Sequence, residues 1–342
     1  MSKQQYDDIF VRDALTDTGS IPFPGRTAFV SPDIIPSQAN VVPASQLIST
    51  YDAASTDPSI LEQQFNNIYV RAKNLSTNSA SGTVSLYWST TSLILTPQSW
   101  VGQQIKDASG ETSIDLVDEN GNTSIAPSGI AVGSGPFVFN APQVPSGFHY
   151  CLIAQVVTAE HPNAIPSEPF TSTADFATWV VNNPAISWLN ISVVPANLPT
   201  FQQLSNFANL DPDAEEYMFI VKGSDWPDGT TVNLQSSSIW FSFSYTQTFG
   251  SDPTNQLVST IQTVPGGYSG WVMLTVTPPA GATVPITAML RLIFAKYVDD
   301  ASELIFQEVG VPASSLGVQG RLSTATVVRL GETLIVIGSP IQ

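Results

Sequence analysis

Three side chains in this sequence carry the chemistry most often used for catalysis near neutral pH: Cys151, His149 and His161. Residues two apart on a strand share a face, so His149 and Cys151 have the spacing at which an imidazole can take the proton of a thiol. Nothing adjacent in sequence orients His149, however. The run Phe148-His149-Tyr150-Cys151-Leu152-Ile153-Ala154 reads as a buried strand, in which Cys151 is a small core hydrophobe. Two histidines and one cysteine spell neither a two-His zinc site at helical spacing nor a cysteine-based structural one. Gly267-Tyr268-Ser269-Gly270 places its second glycine one position too early for a nucleophile elbow. Walker and Rossmann glycine patterns are absent. These residues point away from an enzyme.

Calcium is the one cofactor the sequence suggests. Asp211, Asp213, Glu215 and Glu216 put four carboxylates within six residues, ahead of an apolar strand at Tyr217–Val221. Such a cluster either holds the hard cation or faces water. Asp118-Glu119-Asn120-Gly121-Asn122 also offers oxygens, but it lacks the distal bidentate glutamate of an EF-hand and explains itself as an Asn-Gly turn. Among the tryptophans, Trp88, Trp188 and Trp271 lie within strand patterns and are expected in the core. Trp100 and Trp226 lie in loop-like sequence and are the two candidates for ligand contact, carbohydrate included, against the alternative of packed loop anchors.

The composition bounds what these residues can serve. The 342 residues carry 28 acidic and 11 basic side chains, a net charge of −17, yet only 11% of them are charged. The imbalance comes from scarce Lys and Arg. Eleven scattered cations exclude a nucleic-acid footprint, and 42% hydrophobic residues exclude a disordered chain. No apolar run reaches the ~18–20 residues of a membrane helix, and the first residues lack the basic-then-apolar pattern of a secretory signal. The expectation is a soluble protein, either cytoplasmic or reaching an extracellular or particle-associated place without a Sec signal.

The positioning elements are strands. Ile68, Val70 and Ala72 alternate with Tyr69, Arg71 and Lys73; Val84, Leu86 and Trp88 alternate with Ser85, Tyr87 and Ser89. Ile239, Phe241, Phe243 and Tyr245 alternate with Trp240, Ser242, Ser244 and Thr246. Each reads as a strand with one wet face. Tyr150–Val157, Trp271–Thr277 and Met289–Ala295 are apolar on both parities, as central strands are. Hairpins are predicted around Asp118–Asn122 and around Gly331-Glu332, and a short helix over Thr173–Val180 with Thr173 as its cap. Pro/Gly turns at 8–12-residue rhythm give the fold class: all-β, two tandem Ig-like β-sandwich domains. The predicted organisation is an extended N-terminal leader (1–60), sandwich 1 (61–170), sandwich 2 (171–300) and a β-rich C-terminal extension (301–342) that packs in cis or adds a strand to a partner's sheet.

Tyr69-Val70-Arg71-Ala72-Lys73-Asn74-Leu75, followed by Ser81-Gly82-Thr83-Val84-Ser85-Leu86-Tyr87-Trp88, resembles the opening hairpin of the CARDB-like immunoglobulin-fold domains of bacterial proteins, with Leu75 in place of the usual glycine. Asn182–Val193 is similar to their inter-domain segment. Ile9-Phe10-Val11-Arg12-Asp13, Asp17-Thr18-Gly19 and Ser31-Pro32-Asp33-Ile34-Ile35 are similar to a leader that accompanies such modules, in which Asp13 and Asp17 suit turn and capping bonds. The resemblance implies an Ig-like architecture and a role in adhesion, spacing or partner binding, with no catalytic residues to carry over.

The functional expectation is therefore a non-enzymatic binding or structural protein mediating protein–protein or surface interactions, or self-assembly. The alternative is a secreted effector or toxin component acting on a target-cell membrane, motivated by the long alternating Ser/Thr-rich strand Ser236–Thr248.

Overall fold

The computed structural model describes residues 4–23, 25, 29–53, 60–196, 198–252, 256–298 and 304–338. It is an all-β sandwich fold, as the strand rhythm predicts, with three short helices at Ala44–Ser49, Thr173–Val181 and Leu304–Val309. The first half is organised by two long strands, Phe65–Asn74 and Gly82–Thr90. They do not pair with each other, so the hairpin suggested by the resemblance is not a hydrogen-bonded one. Phe65–Asn74 pairs with Phe137–Asn140, Ile130–Gly133, Ile34–Pro36 and Ile9–Phe10. Gly82–Thr90 pairs with Tyr150–Thr158, Ser113–Val117 and Gln104–Ile105. Ile68, Val70, Ala72, Val84, Leu86 and Leu152 fill the space between, fully buried.

The second half is a two-sheet sandwich. One sheet runs Phe201–Ala208, Ser269–Thr277, Thr231–Ser237, Ser242–Thr248. The facing sheet runs Ile186–Pro195, Thr326–Gly338, Met289–Val298, Glu215–Ser224, Gln256–Val264. Successive strands change sheet repeatedly, the order of interleaved Greek keys. Phe207, Phe219, Phe294 and Leu274 pack between the sheets.

Three strand readings hold; the wet parity expected at Ser85, Tyr87 and Ser89 is buried instead, and three further readings need correction. Tyr150–Thr158, Ser269–Thr277 and Met289–Val298 are each paired on both sides, as runs without a wet parity should be. The first correction concerns Tyr69 and Arg71. They do not face water, because the N-terminal segment, its helix and Tyr51 cover that face. The described residues between 4 and 53 are accordingly built into the first half: Tyr6, Ile9, Phe10 and Val11 lie in its core.

The second correction is at Gly331-Glu332, which is not a turn. Thr326–Gly338 is one strand with a bulge opposite Phe294/Ala295. Glycine is required there because a Cβ would meet the Leu93 carbonyl oxygen at 1.5 Å. This strand is no appendage either, since it lies inside the sheet between Ile186–Pro195 and Met289–Val298. The third correction falls at Ser236–Thr248, which is not one long strand. The chain reverses at Ser238–Phe241, and the pairing of Thr231–Ser237 with Ser242–Thr248 makes it a hairpin. The helix Thr173–Val181 forms where expected, with Ser172 and not Thr173 as its cap: Ser172 Oγ accepts from Asp175 N at 3.0 Å.

Ile186–Pro195 joins the halves. Its residues 186–190 pair antiparallel with Cys151–Gln155 and its residues 191–195 pair parallel with Leu334–Gly338. A cluster with Phe29, Tyr87, Trp100, Phe176, Val180 and Trp188 fills the junction.

Candidate binding site

The strand Tyr150–Thr158 and the residue just before it place Cys151 and His149 together, as their spacing predicts. The thiol sulfur lies 3.8 Å from His149 Nε2. What sequence spacing leaves open, namely what orients the imidazole, comes from distant residues. Nε2 donates to Asn190 Oδ1, and Nδ1 accepts from Gln203 Nε2 at 2.7 Å and Thr91 Oγ1 at 3.1 Å. Asn190 Oδ1 also accepts from Cys151 at 3.2 Å, and its amide donates to the carbonyls of Ser92 (2.7 Å) and Glu332 (2.9 Å). This hub ties the first half to Gln203 and Glu332 of the second.

Its chemistry is that of a closed core. Burial pushes the Cys151 thiol up to about 12, the reverse of what a nucleophile needs. Burial also pushes His149 down to about 4 from 6.5, with the Asn190 bond opposing. The imidazole is therefore neutral, and a proton on Nδ1 would point at the Gln203 amide donor. A pH dependence follows. The unfolded chain takes up this proton near pH 6.5 and the folded chain near 4. The contribution is complete above about pH 6.5, falls with pH, and is exhausted below about 4, a loss of about 3 kcal/mol. Denaturant midpoints measured from pH 7 to 4 should show a slope that His149→Gln abolishes; equal slopes in both proteins would exclude His149 as its source.

The four candidate calcium ligands do not converge. Asp211 and Glu215 meet the Lys296 ammonium at 2.9 and 3.2 Å, so a side-chain cation already occupies their focus. Asp213 and Glu216 are exposed, and Glu216 takes the opposite strand face from its neighbour Glu215. Burial pushes Asp211 up, but bonds from Lys296 and Thr173 outweigh it and hold the carboxyl below its usual range. Among the described residues no group of three or more His, Cys, Asp or Glu is placed to hold a metal. Asp118 accepts from the backbone of Asn120 and Asn122, closing its own turn, but the expected hairpin does not form: Ser113–Val117 pairs with Gly82–Thr90 and Ile130–Gly133, and Ile125 bridges Ala80.

Trp100 is fully buried, its Nε1 donating to Leu95 O at 3.1 Å and its ring edge-on to Tyr87. That corrects its candidacy: it anchors a loop and offers no face to a ligand. Trp226 is also anchored, by bonds to Gln256 and from Nε1 to Met289 O at 2.9 Å. It too is buried, 3% exposed, but unlike Trp100 it backs the wall of a shallow surface depression of about 370 Å³ with Asp225, Pro227, Pro285 and Thr287. A second depression, of about 390 Å³, shares Thr283 with the first and is lined by Leu198, Pro199, Pro278, Pro279 and Val284. Ile286, 72% exposed, and the partly exposed Leu198 and Met289 add apolar surface at the same end of the sandwich, beside the exposed Asp225 and Asp228. The sequence signal for this site is Trp226 in its Trp-Pro loop, a ligand-contact candidate by its loop-like sequence, whereas the Pro278-Pro279 loop reads only as a turn.

The three tryptophans expected in the core split, with Trp88 partly buried against the first-half core. Trp188 is core, whereas Trp271 is 39% exposed and lies beside Phe148 with ring centroids 5.0 Å apart. Among the described residues no helix is long and apolar enough to cross a membrane.

No family model matches the chain, and no curated protein matches it. Among solved structures it is similar to the Enterococcus faecalis MSCRAMM ACE, described as binding its ligands by a collagen hug. The identity is 6%, covering 82% of this chain and 91% of that one, with a TM-score of 0.24. It is also similar to the blue copper oxidase of Nitrosomonas europaea at 8% identity, covering 89% and 85%, with a TM-score of 0.18. Similarity at this level carries no functional argument, so the fold rests on the strand pairing itself.

Proposed function

We propose that this is a non-enzymatic binding protein whose ligand is a protein segment, taken at the loop end formed by Trp226, Leu198 and Ile286. The observation that supports this reading is the pair of adjoining apolar, proline-lined depressions, about 370 and 390 Å³, set on a rigid sandwich end. Prolines fix the loop backbones in advance, so little entropy is lost on binding. The apolar floor suits aliphatic or aromatic side chains, and Asp225, Asp228 and the net charge of −17 favour basic residues flanking them. The Cys151–His149 pair supports the same reading from the other side, being closed to any substrate.

Panning a random peptide library against the whole chain should enrich peptides that combine apolar with basic residues. A Leu198→Arg/Ile286→Arg double variant, altered only at exposed side chains, should lose that enrichment by tenfold or more, the effect of about 1.4 kcal/mol. Identical enrichment on both proteins would rule this surface out.

A further inference from the structure

The hairpin tip Ile239-Trp240 presents the largest apolar side chains the described residues leave in water at one point: Ile239 is 91% and Trp240 77% exposed. We propose that this tip is a lipid anchor that seats in the interfacial layer of a zwitterionic bilayer. The tip is built to protrude without fraying. Ser238 N donates to Phe241 O at 3.0 Å, and Ser238 Oγ accepts from Trp240 N at 3.2 Å and Phe241 N at 3.0 Å. Tyr268 Oη donates to the same Ser238 Oγ at 3.2 Å, and the buried Phe241 ring packs on Phe207 and Tyr268. The amides of Ser238, Trp240 and Phe241 thus have internal partners, which lowers the cost of entering the interfacial layer, where headgroups and water meet the other backbone groups.

Charge supports the same occupant. No Asp, Glu, Lys or Arg lies between Asp228 and Asp252, and none occurs in any of the four strands of this sheet. In a chain of net charge −17 this sheet is neutral throughout, faced with Ser, Thr, Asn and Gln. The strands of this sheet bring no charge to a bilayer, while the exposed Asp213 and Glu216, in the turn and the facing strand at the same end, oppose anionic lipid. Tryptophan favours the headgroup level, where its ring is half wet. The overall negative charge selects zwitterionic over anionic lipid. A protein partner fits less well, because a two-residue protrusion supplies a small part of the ~800 Å² per partner of a specific interface, whereas lipid needs no complementary shape. Thr231–Ser237 runs from the Trp226 loop to this tip, so the anchor lies at the opposite end from the proposed ligand site and does not depend on it.

The test is co-sedimentation of the whole chain with phosphatidylcholine vesicles, with and without phosphatidylserine. Binding to phosphatidylcholine is expected, weakened by phosphatidylserine, and reduced about tenfold or more by Trp240→Ser or Ile239→Ser. Both variants should keep the wild-type thermal midpoint, since neither side chain packs in the core. Brominated phosphatidylcholine should quench part of the tryptophan emission, and Trp240→Phe should remove that quenching while retaining most binding. Failure of the wild-type chain to bind phosphatidylcholine overturns the proposal, as does binding that survives Trp240→Ser. If the tip variants instead abolish a dimer seen by light scattering, in a chain that ignores vesicles, the tip is a self-association contact and the lipid assignment is wrong.

Discussion

A chain ending at Ala325 is expected to lose cooperative folding of the whole molecule. Its missing strand, Thr326–Gly338, is paired on one side with Met289–Val298 and on the other with Ile191–Pro195. Val327, Val328, Leu330, Ile335 and Ile337 all leave buried positions with it. Five such side chains, at ~1.5–3 kcal/mol each, amount to roughly 7–15 kcal/mol, which equals the entire stability of a typical domain. Two further losses compound this. Asn190 loses the Glu332 carbonyl that completes its amide, and the Leu93 carbonyl, packed where a Gly331 Cβ would be, loses its covering strand. Circular dichroism on the truncated chain should show no transition at the wild-type temperature, and most of the protein should be insoluble. A single sharp transition at the wild-type midpoint would show that the strand is peripheral, as an extension would be.

How much of this was legible in sequence depends on whether the deciding partner is local. Tyr150–Thr158 and Met289–Val298 announce themselves as central because their own residues lack a polar parity. Phe65–Asn74 misleads for the opposite reason. Tyr69 and Arg71 look like a wet face, but a segment some 20 to 40 residues upstream covers them and answers the guanidinium with the carbonyls of Pro32, Leu47 and Thr50. Polar side chains at alternate positions say that a face is not oily; they do not say that it is wet. Gly331 misleads because glycine serves equally for a turn and for a close approach, and only the position of Leu93 separates the two. Ile239 misleads because alternation continues unbroken through a two-residue reversal.

The sites obey the same rule. Cys151 and His149 are neighbours in sequence and were paired by spacing alone, whereas Asn190 and Gln203 stand 41 and 54 residues from His149. Lys296, which pairs with Asp211 and Glu215, is 85 residues from Asp211. Trp226 stands out by its loop-like sequence, but the exposed tip and the joining of two depressions are properties of surface shape, which no local pattern carries.

Asp33→Asn is expected to cost about 3–5 kcal/mol, the range for removing one partner of a buried ion pair. Asp33 is fully buried between two buried guanidinium groups. Arg12 Nη2 reaches its Oδ1 at 2.7 Å, Arg12 Nε and backbone N both donate to Oδ2 at 3.0 Å, and Arg71 Nε lies 3.3 Å from Oδ1. The amide keeps the shape and one acceptor, yet it leaves two positive charges facing each other with no anion between them. It also turns a donor toward one of them. Arg12 further stacks on Tyr51, 3.4 Å from the ring centroid, so disorder at Arg12 would spread to the segment that covers Phe65–Asn74. Guanidinium denaturation of Asp33→Asn beside Asp213→Asn separates the effect of burial from that of charge. Both lose one carboxylate, but Asp213 is exposed and should change stability by under about 0.5 kcal/mol. Equal midpoints for the two variants would mean that the Arg12–Asp33–Arg71 cluster is no more than a surface ion pair. If the large loss appears, hydrogen exchange at Val70 and Ala72 should accelerate more than at Leu274. The anion locks the N-terminal segment onto the first half and touches nothing in the second.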